Sequence, residues 1–464
     1  MASSVQTPRR QVVSRFKCAV GSGVLLLLFA AMPDGRAAAQ SVGRIEYTTY
    51  TLSNGLRVVL APVRTTPIVT VNVWYHTGSA NERAHRSGFA HLFEHMMFQG
   101  SAHVKKAEHF QLVERAGGEL NGSTNNDRTN YFETLPSNRL NLGLWLEADR
   151  MRSLAITQEN LENQRQTVKE ERRRGVDNQP YAKAIQDAFT MPFDSTACFA
   201  YAHTVIGDMA DLDSARLQDV QSFFDSYYTP SNAVLTVAGD FDEAQARQLI
   251  QRYFGDISSR APHPEPACQV RYGAGSRRMT VTDNNANLPA VVFVYTFPAR
   301  NDADAPALDL LSTIVGGGES SRLNRRVVRQ ERAALASGAF SLFYRTAGVG
   351  LYFAIANQGV PSEHVDSLLN DEIDRLLADS VTTAELEKAK NQYRTGAIRE
   401  RQTTMGIAEA LQSAQWFDGD LEAANRDLDR YMAVTVADLR RVARRYLAHE
   451  NRLTVVINPP ARGN

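Results

Sequence analysis

The chain has 464 residues, 43% of them hydrophobic, with 51 Lys+Arg set against 51 Asp+Glu. That length allows more than one hydrophobic core. The balanced, well-mixed charge removes any bulk electrostatic case for nucleic acid or an anionic membrane surface as partner.

The first residues run from basic (PRRQVVSRFK) through apolar (AVGSGVLLLLFAAM, Ala19 to Met32) to small (GRAAAQS). This order predicts a secretory signal peptide over residues 1–39, cleaved after Ala39 at the A-x-A site of Ala37 and Ala39. The apolar run is too short for a membrane anchor. The mature chain is therefore expected to be periplasmic or secreted, with no stable membrane insertion. Arg9-Arg10 followed by QVV hints at twin-arginine export, although the general secretory route fits equally. Cleavage removes Cys18 and leaves Cys198 and Cys268, either paired or as two buried thiols, and not at zinc-site spacing.

Next in order, PIVTVNVWYHTGS alternates apolar and polar residues as a half-buried strand does. HLFEHMMFQG (91–100) follows. If Gly88 to Phe98 is helical, at about 100° per residue, His91, Glu94 and His95 fall on one arc. Phe89, Ala90, Leu92, Phe93, Met96 and Met97 fill the opposite side. Burying three polar groups unpaired would cost several kcal/mol, so something must satisfy them. Histidines at i and i+4 can hold one zinc ion, with Glu94 placed to take a proton from water activated by it. The order is the inverted H-x-x-E-H. The alternative is a core helix whose histidines bond backbone carbonyls, and five residues alone leave both readings open.

GGELNGSTNNDRTNYFETLP reads as loop and strand, and LNLGLWLEADRM as a helix. A catalytic zinc site takes a third protein ligand. His76, His85, His103 and His109 form no helical pair with the motif and are expected to be surface or loop residues. ENLENQRQTVKEERRR is helical in pattern, with Gln164, Val168 and Glu171 on one face. Composition alone does not choose between Glu170 and Glu171, and such a run is also what a solvated helix face looks like.

The remainder repeats the first half. LQDVQSFFDSYYTPSNAVLTVAGDF (from Leu217) and VADLRRVARRYLAHENRLTVVINPP (from Val436) each read as amphipathic helix, turn and strand, and Tyr227, Asn232 and Val234 match Tyr446, Asn451 and Leu453 without a gap. PAVVFVYTFPA likewise answers PIVTVNVWYHTGS, and VDSLLNDEIDRLLAD supplies a helix between the ends. The expectation is an α+β protein of two homologous α/β sandwich domains. They span 40–256 and 270–464 and are joined by a Pro- and Ser-bearing linker at 257–269.

GFAHLFEHMMFQGS, GGELNGSTNNDRTNYFETLP, QRQTVKEERRRGVDNQPY and YYTPSNAVLTVAGDFD, in that order, resemble the pitrilysin family of zinc peptidases, which includes the mitochondrial processing peptidase and insulin-degrading enzyme. The likeness runs over nearly the whole mature chain. It implies one zinc ion per chain, bound by His91, His95 and a Glu about 76 residues beyond the second histidine in a V-x-x-E context. That selects Glu171, after Val168. It also implies Glu94 as catalytic base. Members often carry a second Glu seven residues before the ligand, where this chain has Gln164, which can hydrogen-bond the site without the charge. The stretch around Asn121 and Gly122 matches a sheet edge on which a substrate peptide adds as a further strand, with Gly in place of the family's Ala.

The resemblance also marks an absence. An Arg and a Tyr seven residues apart commonly reach the site from the opposing half, where they grip substrate and stabilise the oxyanion. Here Arg329 is followed at that spacing by Ala336 and then Ser337. This implies the zinc-bearing subunit of a two-chain clamshell peptidase, paired with a homologous chain that carries the Arg/Tyr pair. A homodimer using another donor, such as Tyr344, is the fallback. A chain of this length is not expected to be the single-chain form of roughly a thousand residues. The competing expectation is a non-catalytic, peptide-holding subunit of the same family.

Overall fold

The computed structural model describes residues 43–261, 264–270, 275–378 and 381–461; the expected signal peptide and Cys18 lie outside them. The first half contributes strands β1 (Thr48–Thr51), β2 (Arg57–Pro62), β3 (Ile68–Tyr75), β4 (Glu119–Thr124), β5 (Thr129–Pro136) and β6 (Ala233–Gly239). Its helices are α1 (Phe89–Met96), α2 (Glu108–Arg115), α3 (Leu140–Ser153), α4 (Gln158–Arg172), α5 (Ala182–Thr190), α6 (Met209–Ser214), α7 (Leu217–Tyr227) and α8 (Glu243–Phe254).

The second half brings β7 (Arg277–Thr282), β8 (Ala290–Phe297), β9 (Ala334–Phe343), β10 (Gly348–Ala356) and β11 (Arg452–Asn458). Its helices are α9 (Ala305–Gly316), α10 (Ser362–Ala378), α11 (Thr383–Glu400), α12 (Thr404–Ser413), α13 (Ala423–Met432) and α14 (Val436–Tyr446). Among the described residues no helix is long and apolar enough to cross a membrane.

The strand orders are β1-β2-β6-β3-β5-β4 and β7-β11-β8-β10-β9. Apart from β1 they correspond strand for strand. In each sheet the last strand in sequence runs parallel to one neighbour and antiparallel to the other. The α7–β6 and α14–β11 units have the same bounds, 219 residues apart. The same side chains shape both copies. Asp219 and Asp438 each accept a backbone N–H at the start of their helix, from Arg216 and Thr435. Asn232 and Asn451 each donate back to the carbonyl of a Tyr, 227 or 446, that ends it. The chain is thus an α+β protein built from two copies of one layered unit.

Each sheet is covered on both faces, and the outer covers are exchanged. The inner face of the first sheet packs Val71, Val73 and Tyr131 against Phe93 of α1 and Leu144 of α3. Its outer face meets Ile407, Ala408 and Leu411 of α12, which belongs to the second half. Conversely, the outer face of the second sheet (Val292, Val294, Leu351) is covered by Ala188 of α5 and by Phe193, Cys198 and Tyr201 from the first half. At about 1.5–3 kcal/mol per large apolar side chain buried, these crossed packings lock the halves together. Cys198 and Cys268 are joined in a disulfide that ties this first-half segment to the stretch following α8. No helix or strand lies between Phe254 and Arg277 among the described residues.

Candidate metal centre

Helix α1 begins at Gly88, whose φ of +83° suits glycine; a Cβ there would sit 2.7 Å from the Ile206 carbonyl oxygen. No residue of the helix caps its own N-terminus. The buried Glu82 carboxylate does so from outside, accepting the N–H groups of Gly88 (2.8 Å) and Ala90 (2.7 Å). A carboxylate is favoured there by the helix dipole as well as by the free N–H groups. Glu82 in turn accepts from His203 Nε2 at 3.0 Å. Neither residue announced itself in the sequence: Glu82 lies outside the helix it caps, and His203 reaches Glu82 across a large separation.

Phe89, Ala90, Leu92, Phe93 and Met96 bury one side of α1, which leaves His91, Glu94 and His95 on the other. Helix α4, whose N-terminus is capped by the Thr157 hydroxyl, buries Gln164 and Val168 and brings Glu171 opposite the histidines. His91 Nε2 lies 3.7 Å from Glu171 Oε1 and His95 Nε2 lies 3.3 Å from Glu171 Oε2. Ligand atoms of a tetrahedral zinc with bonds of about 2.0–2.1 Å are about 3.3–3.4 Å apart, so the three groups fit that ion. Glu170, one residue earlier, is instead paired with Arg173 and Arg174 on the surface.

The charges around this cluster diverge. Burial, then the neighbouring His95, lowers His91 to about 4. Burial also opposes charge on His95, but its hydrogen bond to Glu171 and the charges of Glu94 and Glu171 raise it overall. Glu171 is held below the usual carboxylate range, first by its hydrogen bond to His95. Burial pushes Glu94 above that range, against a 2.6 Å hydrogen bond donated by the Thr124 hydroxyl. Gln164 hydrogen-bonds His95 in the sense that favours its protonated ring, and its Nε2 donates to Asn163. A metal-binding histidine commonly donates its second ring nitrogen to such a group. His91 Nδ1, by contrast, is buried with no hydrogen-bond partner among the described residues.

Thr124 ends β4, the strand at the edge of the first sheet. Asn121 and Gly122 lie on that strand. A Cβ at Gly122 would come to 3.1 Å from Tyr131 and 3.2 Å from Phe98, so a side chain here would press on both rings. Beside His91 and Thr124 opens a cavity of about 270 Å³, walled by Phe189, His203, Leu342 and Tyr344. The last two come from the second half. Tyr344 is stacked on Tyr201 with ring centres 4.6 Å apart, so it reaches this cavity within a single chain.

Other expectations fare differently. Arg329 is exposed and paired with Glu319, and Ala336 lies within β9 at the edge of the second sheet. His109, expected at the surface or in a loop, is buried on α2 and bonded to buried Glu133 at 3.0 Å. The i, i+4 pair of His109 and Val113 faces inward, a signal masked by the polar residues that make up most of α2. His109, Glu133 and Glu147 form a second histidine–carboxylate group. Arg150 already bonds both carboxylates there, so the cation that this group holds is a guanidinium.

Known proteins share this architecture. Residues 57–194 match the family described as Insulinase (Peptidase family M16), and residues 214–393 match the Peptidase M16 inactive domain. The zinc protease PqqE of Helicobacter pylori is 30% identical over 417 residues, covering 89% of this chain and 93% of that protein. A probable mitochondrial-processing peptidase subunit beta of Arabidopsis thaliana is 25% identical over 426 residues, covering 88% of this chain and 78% of its own length. The crystal structure of a protease from Helicobacter pylori superposes with a TM-score of 0.83 at 29% identity, covering 89% of this chain and all of that one. With both halves matched and the order of motifs intact, the chain belongs to peptidase family M16.

Proposed function

We propose that this protein is a zinc metalloendopeptidase that hydrolyses peptides or unfolded polypeptides after export to the periplasm or the cell exterior. The observation that carries the reading is the convergence of His91, His95 and Glu171 on one point, with Glu94 beside them. His91, His95 and Glu171 hold the ion. A zinc ion so held supplies a Lewis acid that polarises the scissile carbonyl and makes water a better nucleophile. Glu94, its carboxyl raised by burial and oriented by Thr124, takes a proton from that water. It then hands the proton to the leaving amine. Gln164 steadies His95. The edge strand β4, through Asn121 and Gly122, receives the substrate backbone as an added strand.

The reading extends to a partner. With Ala336 where the family commonly carries a tyrosine, the chain serves as the zinc-bearing subunit beside a homologous chain that carries the Arg/Tyr pair. The Arabidopsis relative, named as a subunit, is in keeping with this. Residues 40–256 then form the metal-bearing domain and 270–464 its counterpart without metal.

The test is metal analysis of the purified mature chain together with turnover of a fluorogenic peptide, by the chain alone and with such a homologue. One zinc per chain and activity appearing on mixing support the proposal. Full activity of the chain alone overturns the two-chain part, and absence of stoichiometric zinc favours a peptide-holding scaffold.

A further inference from the structure

Strand β4 lies at the edge of its sheet, and its sequence ELNGST contains a glycine and no large apolar side chain except Leu120. Such a strand has little packing of its own to hold it in place. Its neighbour β5 supplies the backbone ladder. A lattice of side chains on the face away from α1 holds it further, and that lattice starts in the other half of the molecule. Glu409, on helix α12, accepts three hydrogen bonds from the first sheet at one carboxylate oxygen. The donors are Asn72 Nδ2 at 2.7 Å, Trp74 Nε1 at 3.1 Å and Asn130 Nδ2 at 2.9 Å.

Asn130 passes the restraint on, since its Oδ1 accepts the Ser123 hydroxyl of β4 at 2.7 Å and Arg128 Nη1 at 3.2 Å. Arg128 also donates to the Ser123 carbonyl at 2.8 Å and lies over the Trp74 ring at 4.9 Å. The next residue along β4 is Thr124, whose hydroxyl holds Glu94.

We infer that Glu409 is a positioning residue, through which the second half sets the alignment of the edge strand β4 and so the affinity for an extended peptide. The inference rests on the proposed addition of substrate to that strand. Glu409 touches neither the metal ligands nor Glu94, so it acts on β4 through its neighbours, Asn130 on Ser123 directly and Trp74 by way of Arg128. Helix α12 has separate anchorage. Gln412 donates to the Asn72 and Val234 carbonyls, Thr404 bonds Thr70, and Ile407, Ala408 and Leu411 pack on the sheet. Removing the Glu409 carboxylate therefore leaves the helix docked and cuts the lattice alone. A shared carboxylate with three donors couples their geometries more tightly than separate pairs would.

The experiment compares Glu409→Ala and Glu409→Gln, each in the full-length chain carrying Glu94→Gln so that a bound peptide is not cut. Hydrogen exchange of the Asn121–Thr124 amides is measured alongside the Kd for a fluorescein-labelled unstructured decapeptide. For Glu409→Ala the expected result is about tenfold faster exchange in β4 and about five- to tenfold weaker binding, with zinc content and α12 exchange unchanged. Glu409→Gln, which keeps one accepting oxygen, recovers most of both. Gln412→Ala, on the same helix but outside the lattice, leaves β4 exchange at the parental rate. Unchanged β4 exchange in Glu409→Ala overturns the inference and leaves the strand-addition reading standing. Faster exchange with unchanged Kd overturns strand addition, and the inference with it.

Discussion

Helices α1 and α9 occupy the same place in the two copies of the fold, each following the strand that enters the sheet beside β6 or β11. In α1 one side is apolar and the other presents His91, Glu94 and His95. In α9, Leu308, Leu310, Leu311, Ile314 and Val315 are all buried, and no histidine or glutamate is present. The backbone frame is common, but among the described residues only the first copy carries groups able to hold a metal. The difference teaches that this fold positions chemistry without supplying it: the scaffold can be duplicated while the site is not. The second copy still contributes, through α12 on the back of the first sheet and through Leu342 and Tyr344 in the cavity beside His91.

The contrast can be broken most sharply in α1. Glu94→Gln keeps the size of the side chain and all three proposed metal ligands, so zinc content should hold while peptide turnover falls about a thousandfold. Turnover near the parental rate would remove Glu94 as the base. Glu171→Ala should lower both zinc stoichiometry and turnover, with the fold intact by circular dichroism, because Glu171 is half-exposed and carries no core packing. In α9 the equivalent experiment is about stability. Leu311→Ala empties a fully buried site and should cost about 2–5 kcal/mol in denaturant unfolding, with zinc content per folded chain unchanged.

A smaller effect is expected where the Cys198 segment is tied to the stretch following α8. Replacing Cys198 and Cys268 by Ser opens a covalent loop with a separation of 70 residues and should cost about 2–4 kcal/mol, read as a lower unfolding midpoint. The smallest effect sits at the tip of the β4–β5 hairpin. Asp127 accepts the Tyr201 hydroxyl at 2.8 Å and the Arg345 N–H at 3.0 Å, and burial raises its carboxyl to about 6. A carboxyl whose pKa is higher folded than unfolded binds more protons in the native state. Its stability contribution therefore falls as pH rises between the unfolded value, about 4, and about 6. Asp127→Asn should gain on the parent by up to roughly 3 kcal/mol over that window. Melting temperatures of both chains from pH 4 to 7 measure it, and a pH-independent difference between them would refute the assignment.

Much of this was legible in the residues. The α7–β6 and α14–β11 repeats are local, helix and strand periods read directly, and their caps and turn asparagines recur at one spacing. The α1 arc was equally readable, since about 100° per residue places His91, Glu94 and His95 together. Other features were not. Glu170 and Glu171 are indistinguishable in composition, and family spacing was needed to choose between them. His109 lies on α2 among Glu108, Gln111, Glu114 and Arg115, polar neighbours that mask its inward face, and so a core histidine read as a surface one. Thr124 acts on α1, and His203 on the Glu82 that caps it, from separations that no local pattern spans.

By itself, then, the sequence determined what depends on near neighbours along the chain. That covers the two copies of the layered unit, the polar arc of α1 and the helix that carries Glu171. The tertiary structure alone decided how the copies exchange covers, that Cys198 meets Cys268, that Glu82 caps α1 and that Glu409 reaches the first sheet. Periodicity comes from backbone geometry repeated every few residues. The crossed packing comes from the burial of two outer sheet faces, which the chain satisfies only by closing loops hundreds of residues long.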